Sequence, residues 1–212
     1  MKRNFIFREA QHPSERELLM NVQKQIFQKS RLSSLVDNQA SSLKLDQIKE
    51  RHFGLFTVDE EVIGSVQLLF ASCPANSRYL PSCHYVEHES PLSYFLRELP
   101  SSMRIVEGTR LALKPEFRGL SIVRWILEVL IMISFWVERS DWAIISCTPS
   151  HQRFYEKYGF EALDPNHIIS YKQVRGVQLL RSSTHQLPKS VEKRFQQMLN
   201  FYHTCGEIPY LT

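Results

Sequence analysis

The segment spanning residues 104–137 constrains this chain more than any other. It opens with Arg104-Ile-Val-Glu107-Gly108-Thr109-Arg110-Leu111-Ala-Leu113, continues through Lys114-Pro115-Glu-Phe-Arg118-Gly119-Leu120-Ser121, and ends in an apolar run from Ile122 to Val137. Ile105, Glu107, Thr109, Leu111 and Leu113 share one face at the two-residue period of a half-buried strand, so Glu107 is a carboxylate on an apolar face. Pro115 and Gly119 turn the chain, and Ser121 stands where an N-cap is expected. The run that follows is interrupted only by Arg124, Glu128 and Ser134, which predicts a helix buried on all sides. A membrane span needs about 20 predominantly apolar residues, and this run is shorter and carries two charges.

A strand that delivers a carboxylate, followed by a loop ending at a helix N-terminus, suits a phosphate-bearing thioester. The free N–H groups and the positive end of the helix dipole face the phosphate, with Glu107 a few residues upstream.

The remaining pattern predicts a strand over 4–10 and a helix over 13–29, opened by a Ser14/Glu17 capping box. A polar loop over 30–42 and a short helix over 44–51 follow, then a hairpin of strands 52–58 and 62–70. Residues 71–103 form a proline-rich connection in which only 92–99 reads as helix. A connection so long is expected to wall a pocket. Beyond the central segment come a strand over 141–147, a helix over 150–158 opened by Pro149 and closed by Gly159, and strands within 160–163 and 167–181 that turn near Arg175-Gly176. Last is an amphipathic helix capped by Ser190, with Val191, Phe195, Met198, Leu199 and Tyr202 on one stripe and Gly206 stopping it. The order predicts an α/β fold, a mixed sheet covered by helices, with residues 188–212 a helical extension packed on a domain of residues 1–187.

A length of 212 residues with 43% hydrophobic content suffices for one sizeable core. The net charge of +4 is too weak to imply nucleic acid but suits an acidic partner. Cys73, Cys83, Cys147 and Cys205 lack metal or disulfide spacing, and no secretory leader is apparent, so the expected location is cytoplasmic.

Two stretches resemble the GNAT N-acyltransferase superfamily: the strand and loop from Arg110 to Gly119, and Phe154-Tyr155-Glu-Lys-Tyr158-Gly159-Phe160. Within it, Glu107-Gly-Thr-Arg110 resembles the Glu-x-Ser/Thr-Arg segment of acyl-homoserine-lactone synthases and N-acyl amino acid synthases. Pro149-Ser-His151-Gln-Arg-Phe154-Tyr155 resembles a Pro-x-His-x-x-Phe-Tyr run of the latter, and long-chain N-acyl amino acid synthases are the nearest likeness. The resemblance implies a mostly antiparallel central sheet. It also implies transfer of an acyl, and by this likeness fatty acyl, group from an acyl carrier protein or coenzyme A thioester to the amine of a small molecule such as an amino acid, with no tightly bound cofactor. Acetyl transfer from acetyl-CoA, and a GNAT-like module that only binds, are the alternatives.

Acetyl-CoA users typically carry Arg/Gln-x-x-Gly-x-Gly/Ala. Here Arg118-Gly119-Leu120-Ser121-Ile122-Val123 puts Ser121 and Val123 where a diphosphate would pass. That favours the single phosphate of a phosphopantetheine, and Lys114, Arg118 and Arg124 would suit an acidic carrier protein. Leu111, Leu113, Arg118, Gly119, Leu120, Ser121 and Ile122 are the expected donor-binding set, and His151 would orient the carrier phosphate unless it is an ordinary surface histidine.

Acyl transfer to an amine needs a base, an oxyanion donor and a proton for the leaving thiolate. Glu107, its pKa raised by desolvation, is the candidate base; the plain alternative is a strand carboxylate paired with an arginine. Backbone N–H groups near Arg110 and Leu111 would bind the oxyanion if Gly108 marks a bulge. By the resemblance Tyr155 is the general acid and Arg110 supports the site; otherwise one is a helix aromatic and the other a salt-bridge partner. An acyl slot would run between the central strand and residues 142–145, walled by Trp125, Phe135, Trp136, Tyr94 and Phe95. His84-Tyr-Val-Glu87-His88 matches the inverted zinc-peptidase signature, but no amphipathic helix carries it, and no metal is expected.

Overall fold

Alternation of apolar residues builds nine strands into one sheet in the computed structural model, which describes residues 5–29, 47–84, 90–171, 174–187 and 189–210. The strands are β1 (Phe5–Glu9), β2 (Ile48–Thr57), β3 (Val62–Ala71), β4 (Ile105–Leu113), β5 (Trp142–Cys147), β6 (Glu161–Ala162), β7 (Ile169–Tyr171), β8 (Val174–Ser182) and β9 (Glu207–Pro209). Their order is β6-β8-β5-β4-β3-β2-β1-β9, with β7 paired to β8. Every pairing is antiparallel except β4 with β5. β3, at the centre, is buried at all ten positions, which its sequence VIGSVQLLFA permits on both faces.

The helices are α1 (Pro13–Gln28), α2 (Pro81–His84), α3 (Pro91–Glu98), α4 (Leu120–Met132), α5 (Gln152–Glu156) and α6 (Lys189–Cys205). α4 and α6 cover one face of the sheet, where Phe7, Phe53, Val106, Ile126, Phe195 and Met198 share the main core. Phe7 stacks on Phe53 at 5.3 Å and meets the edge of Trp125 at 6.1 Å. The opposite face carries α1 over β2 to β4, and a second apolar layer in which Leu69, Ile105, Ile144 and Leu180 lie under Leu80, Leu92 and Leu96 of the long connection. Within the main core's rim, buried Arg51 joins Glu138 at 2.7 Å and also bonds Glu9 and Tyr202, tying β1, β2, α6 and the residue that closes the π turn after α4 together.

Several boundaries differ from the sequence expectation for local reasons. Residues 48–51 belong to β2 rather than to a helix, because Ile48 packs in the second layer; residues 44–46 and the loop expected over 30–42 lie outside the described residues. Ser14 does not cap α1: His12 is the N-cap, Pro13 takes the first helical position, and Glu15 accepts the Gln11 N–H at 2.8 Å. Ser121 is the second residue of α4, whose N-cap is Gly119. The apolar run ends in a π turn, Ile133–Val137. Arg175 and Gly176 are not a turn as expected, since they pair within β8 with Ser170 and Ile169. The 71–103 connection contains two short helical pieces, Pro74–Tyr79 and α2, besides α3. After Gly206, at φ +73°, the chain adds β9 to the sheet edge through Phe7 and Ile208. Among the described residues no helix is long and apolar enough to cross a membrane.

Candidate active site

β4 and β5 run side by side only from the Ile105/Trp142 pair to the Gly108/Ile145 pair. Beyond it β4 pairs with β3 alone and β5 with β8 alone, so the two strands part in the middle of the sheet. Residues 142–145 therefore stay paired, and the gap expected there opens at Ser146 and Cys147 instead.

On the β4 side of the gap the ladder has a bulge. Thr109 pairs with Gln67 and Ala112 with Ser65, so Arg110 and Leu111 together oppose Val66. Arg110 adopts φ +57°, and the Gln23 amide of α1 donates to its carbonyl at 2.6 Å. The bulge is thus at Arg110, not at Gly108, where a Cβ would meet only ordinary contacts, Ile145 at 3.5 Å and Leu68 at 3.8 Å. It also breaks the two-residue period. Ala112 takes the Glu107 face, while Leu113 joins the main core and Leu111 packs against it.

Glu107 is 1% exposed, under α2. The Ser82 N–H donates to both its oxygens at 3.1 and 3.0 Å, and the Ser82 hydroxyl donates to Oε1 at 2.9 Å. Burial pushes the carboxyl up to about 7, against the Ser82 hydrogen bonds and the charge of Arg110, which pull it down. The Ser82 hydroxyl also meets that of Ser146 at 2.8 Å, and the Gln178 amide donates to the Ser82 carbonyl at 3.0 Å. On the same face, nearer α1, Glu50 is bonded by Gln67 and by His52 at 2.7 Å; the His52 hydrogen bond, with the charges of His52, Arg110 and Arg16, holds its pKa below the ordinary value against its burial.

Tyr155 lies across the sheet, packed against the main core with Phe154 at 5.3 Å and Phe160 at 5.9 Å. Burial, and after it the neighbouring Cys147, pushes its phenol up to about 12. Cys147 is itself raised to about 12 by burial, then by Glu156. Glu107 and Tyr155 therefore sit on opposite faces, with the β4/β5 gap between them.

At the loop, Gly119 N–H bonds the Phe117 carbonyl at 2.8 Å, and Ile122 and Val123 N–H both return to the Gly119 carbonyl at 3.1 Å. The backbone of Leu120 and Ser121 thus forms the open first turn of α4. Ser121 is exposed, whereas Val123 turns its side chain onto the main core. Ile122 is buried in that core. Arg118 bonds the Leu113 carbonyl at 3.0 Å, and Lys114 pairs with Glu61 at 2.6 Å. His151 is exposed, with Nδ1 3.2 Å from the Thr148 hydroxyl.

The proposed walls of the acyl slot are divided. Trp125 and Phe135 belong to the α4 face, while Phe95 packs on Trp142 at 4.9 Å on the other; Tyr94 and Trp136 are exposed. Two open clefts lie among the described residues. One of about 390 Å³ is lined by Phe95, Trp142, Leu163, Leu180 and His185 among others, and one of about 370 Å³ by Lys49, Phe70 and Arg104 among others. Neither is lined by Glu107, because Ser82 covers the carboxylate and Leu69, Leu80 and Ile144 fill the adjoining layer. Gln23, Ser82, Ser146 and Gln178 escaped the sequence reading. They form no motif, and only Pro81 just before Ser82 hinted at a helix start there. His84, Glu87 and His88 lie at or beyond the edge of the described residues. Among those residues no group of three His, Cys, Asp or Glu could hold a metal.

Three solved structures share this architecture. FeeM, an N-acyl amino acid synthase from uncultured soil microbes, matches with a TM-score of 0.60 and 15% identity over 84% of this chain and 91% of its own. An acyl-CoA N-acyltransferase from Pseudomonas aeruginosa gives 0.54 and 12% over 84% and 98%. Spermidine N-acetyltransferase from Vibrio cholerae, in complex with CoA and spermine, gives 0.51 and 13% over 85% and 96%. No curated protein matches in sequence. Parted parallel strands, the β4 bulge and these likenesses define a GNAT N-acyltransferase fold. The profile of the N-acyl amino acid synthase FeeM family matches residues 23–182, three quarters of the sequence, and the chain belongs to that family. It is an acyltransferase enzyme.

Proposed function

We propose that the protein moves a fatty acyl group from a phosphopantetheine thioester, on an acyl carrier protein in preference to coenzyme A, to the amine of a small molecule such as an amino acid. The observation that carries this reading is a buried carboxylate with its pKa raised to about 7, set where two parallel strands part beside a backbone bulge. A base poised near neutrality suits removal of an amine proton. The thioester enters the gap from the α4 face, its carbonyl oxygen meets bulge N–H groups at Arg110 and Leu111, and Glu107 takes the amine proton from the other face. Arg110 keeps Glu107 from rising further. A phenol at about 12 cannot fully protonate a thiolate of ordinary pKa about 8.5, so Tyr155 stabilises the departing sulfur by a hydrogen bond. The first turn of α4, at Gly119, Leu120 and Ser121, receives the phosphate, with His151 beside it.

A carrier-bound donor is supported by exposed Ser121 in the phosphate loop and by exposed Arg118 and Arg124. In competition at equal chain length, acyl carrier protein is expected to show the higher kcat/KM, and that advantage should shrink as salt screens the arginines. Equal use of both donors, or a preference for coenzyme A, would refute the donor assignment.

The fatty chain is supported by the family match and by the apolar layer of Leu69, Leu80, Leu92, Ile144 and Leu180, which adjoins Glu107 and leads to the cleft at Phe95 and Trp142. If the chain enters that layer, each buried methylene contributes about 0.8 kcal/mol, so donor KM should fall about fourfold per carbon up to an optimum well above two carbons. A maximal rate on acetyl donors would instead assign the protein to acetyl transfer.

A further inference from the structure

Glu107 cannot touch an amine as it stands, since Ser82 covers it almost completely. The hydrogen bonds around it nonetheless run in one direction. An ionised carboxylate only accepts, so the single hydroxyl proton of Ser82 is committed to Glu107 Oε1 at 2.9 Å. The 2.8 Å contact between the two hydroxyls must then be donated by Ser146. That leaves the Ser146 oxygen, among the described residues, with an acceptor lone pair not used by another group. Ser146 is the first β5 residue beyond the last β4 pair, so it stands at the opening of the gap, and it is only partly buried.

Two further contacts brace this chain. Gln178, the cross-strand partner of Ser146, holds the Ser82 carbonyl at 3.0 Å. Its own Oε1 is buried and has no hydrogen-bond partner among the described residues, a second acceptor beside the same pair.

Resting on the reading of Glu107 as base, we infer that Ser146 and Ser82 form a hydroxyl relay from the acceptor amine to Glu107, with Ser146 as the residue that touches the amine. The ammonium N–H donates to Ser146 Oγ, Ser146 passes its own proton to Ser82 Oγ, and Ser82 passes its proton to Glu107 Oε1. Each serine ends with one proton and Glu107 is neutral. The freed amine then attacks the thioester carbon: a C–N bond forms, the C–S bond breaks, and the sulfur leaves with its electron pair. Of the three ammonium protons, one rests on Glu107, one passes to the sulfur, and one stays on the amide. Glu107 then returns its proton to solvent. The unpaired Gln178 Oε1 accepts a second ammonium N–H.

The test uses purified full-length protein with decanoyl acyl carrier protein and decanoyl-CoA as donors and a mixture of the standard amino acids as acceptors, with products read by mass spectrometry. Ser146→Ala should lower kcat about tenfold or more with donor KM unchanged, and Ser146→Thr should restore most of it. Ser82→Ala tests the second link separately, because the Ser82 N–H still holds Glu107. In both alanine variants the acid limb of the kcat profile, set by Glu107 among Ser82, Cys83 and Arg110, should give way to a rate that keeps rising with hydroxide. The wild type should show a solvent deuterium effect with a curved proton inventory that the variants lose. Wild-type kcat and pH profile in both alanine variants would overturn the relay. Glu107→Gln, run in parallel, separates the two readings: if it alone is inactive, the relay falls and the base stands, and if it too is fully active, the base reading falls.

Discussion

Replacing Glu107 by Gln should lower kcat on the order of 10²-fold or more at neutral pH and, at the same time, make the protein more stable in mild alkali. The loss follows from removing the base while keeping its shape, since a Gln carbonyl oxygen can still accept from the Ser82 N–H and hydroxyl. The gain follows from linkage. The folded-state pKa of Glu107 is raised from the ordinary 4.5 to about 7, so between those values the folded state holds more protons than the unfolded one. Its contribution is therefore fully present below about 4.5 and is lost as pH rises through about 7. Raising the carboxyl from 4.5 to about 7 corresponds to about 3 kcal/mol. Gln carries no such loss. Urea unfolding at pH 5 and pH 8 should show the wild type losing stability relative to the variant across that interval. Parallel stability curves would mean that Glu107 is not desolvated, and retained kcat would remove it from the chemistry.

Arg181→Met should cost about 3 kcal/mol of stability. Arg181 is 1% exposed and donates to the carbonyls of Tyr158 at 2.8 Å, Ser182 at 3.0 Å and His185 at 3.1 Å, with its guanidinium 4.7 Å from the Phe135 ring. Two effects oppose each other. Burial pushes its pKa from 12.5 down to about 10, so removing the charge returns about 3 kcal/mol. Three hydrogen bonds from a charged donor are lost at about 1.5–3 kcal/mol each, which outweighs that return even though the Ser182 carbonyl keeps the His185 N–H at 3.2 Å. The Tyr158 carbonyl belongs to the turn that follows α5, so the substitution also loosens the element that carries Tyr155. Denaturant midpoints decide it; an unchanged or raised midpoint would show that relief of the buried charge dominates.

The central strand, loop and helix were legible because a two-residue period, two turn residues and a continuous apolar run each have one ready structural solution. Glu107 was legible for a related reason: a lone carboxylate on such a face is conspicuous. The bulge was not, since its φ of +57° is borne by Arg110, a residue with no propensity for that region, and the nearby Gly108 drew attention to the wrong position. Nor could the sequence show that Ser82, 25 residues upstream, covers Glu107, because nothing local in a proline-broken connection says which strand residue it will lie against. The aromatic walls failed for a topological reason: Trp125 and Phe95 look alike in sequence, yet the sheet separates them. β9 is three residues ending in Pro209 and forms through its pairing with β1, not through any propensity of its own.

Lipid extracts from cells overproducing the wild type, compared by mass spectrometry with extracts from cells overproducing Glu107→Gln, test whether Glu107 drives fatty acyl transfer to an amine. Fatty N-acyl amines present with the wild type and absent with the variant are the predicted result; no new N-acyl amines, or N-acetyl products alone, would contradict it.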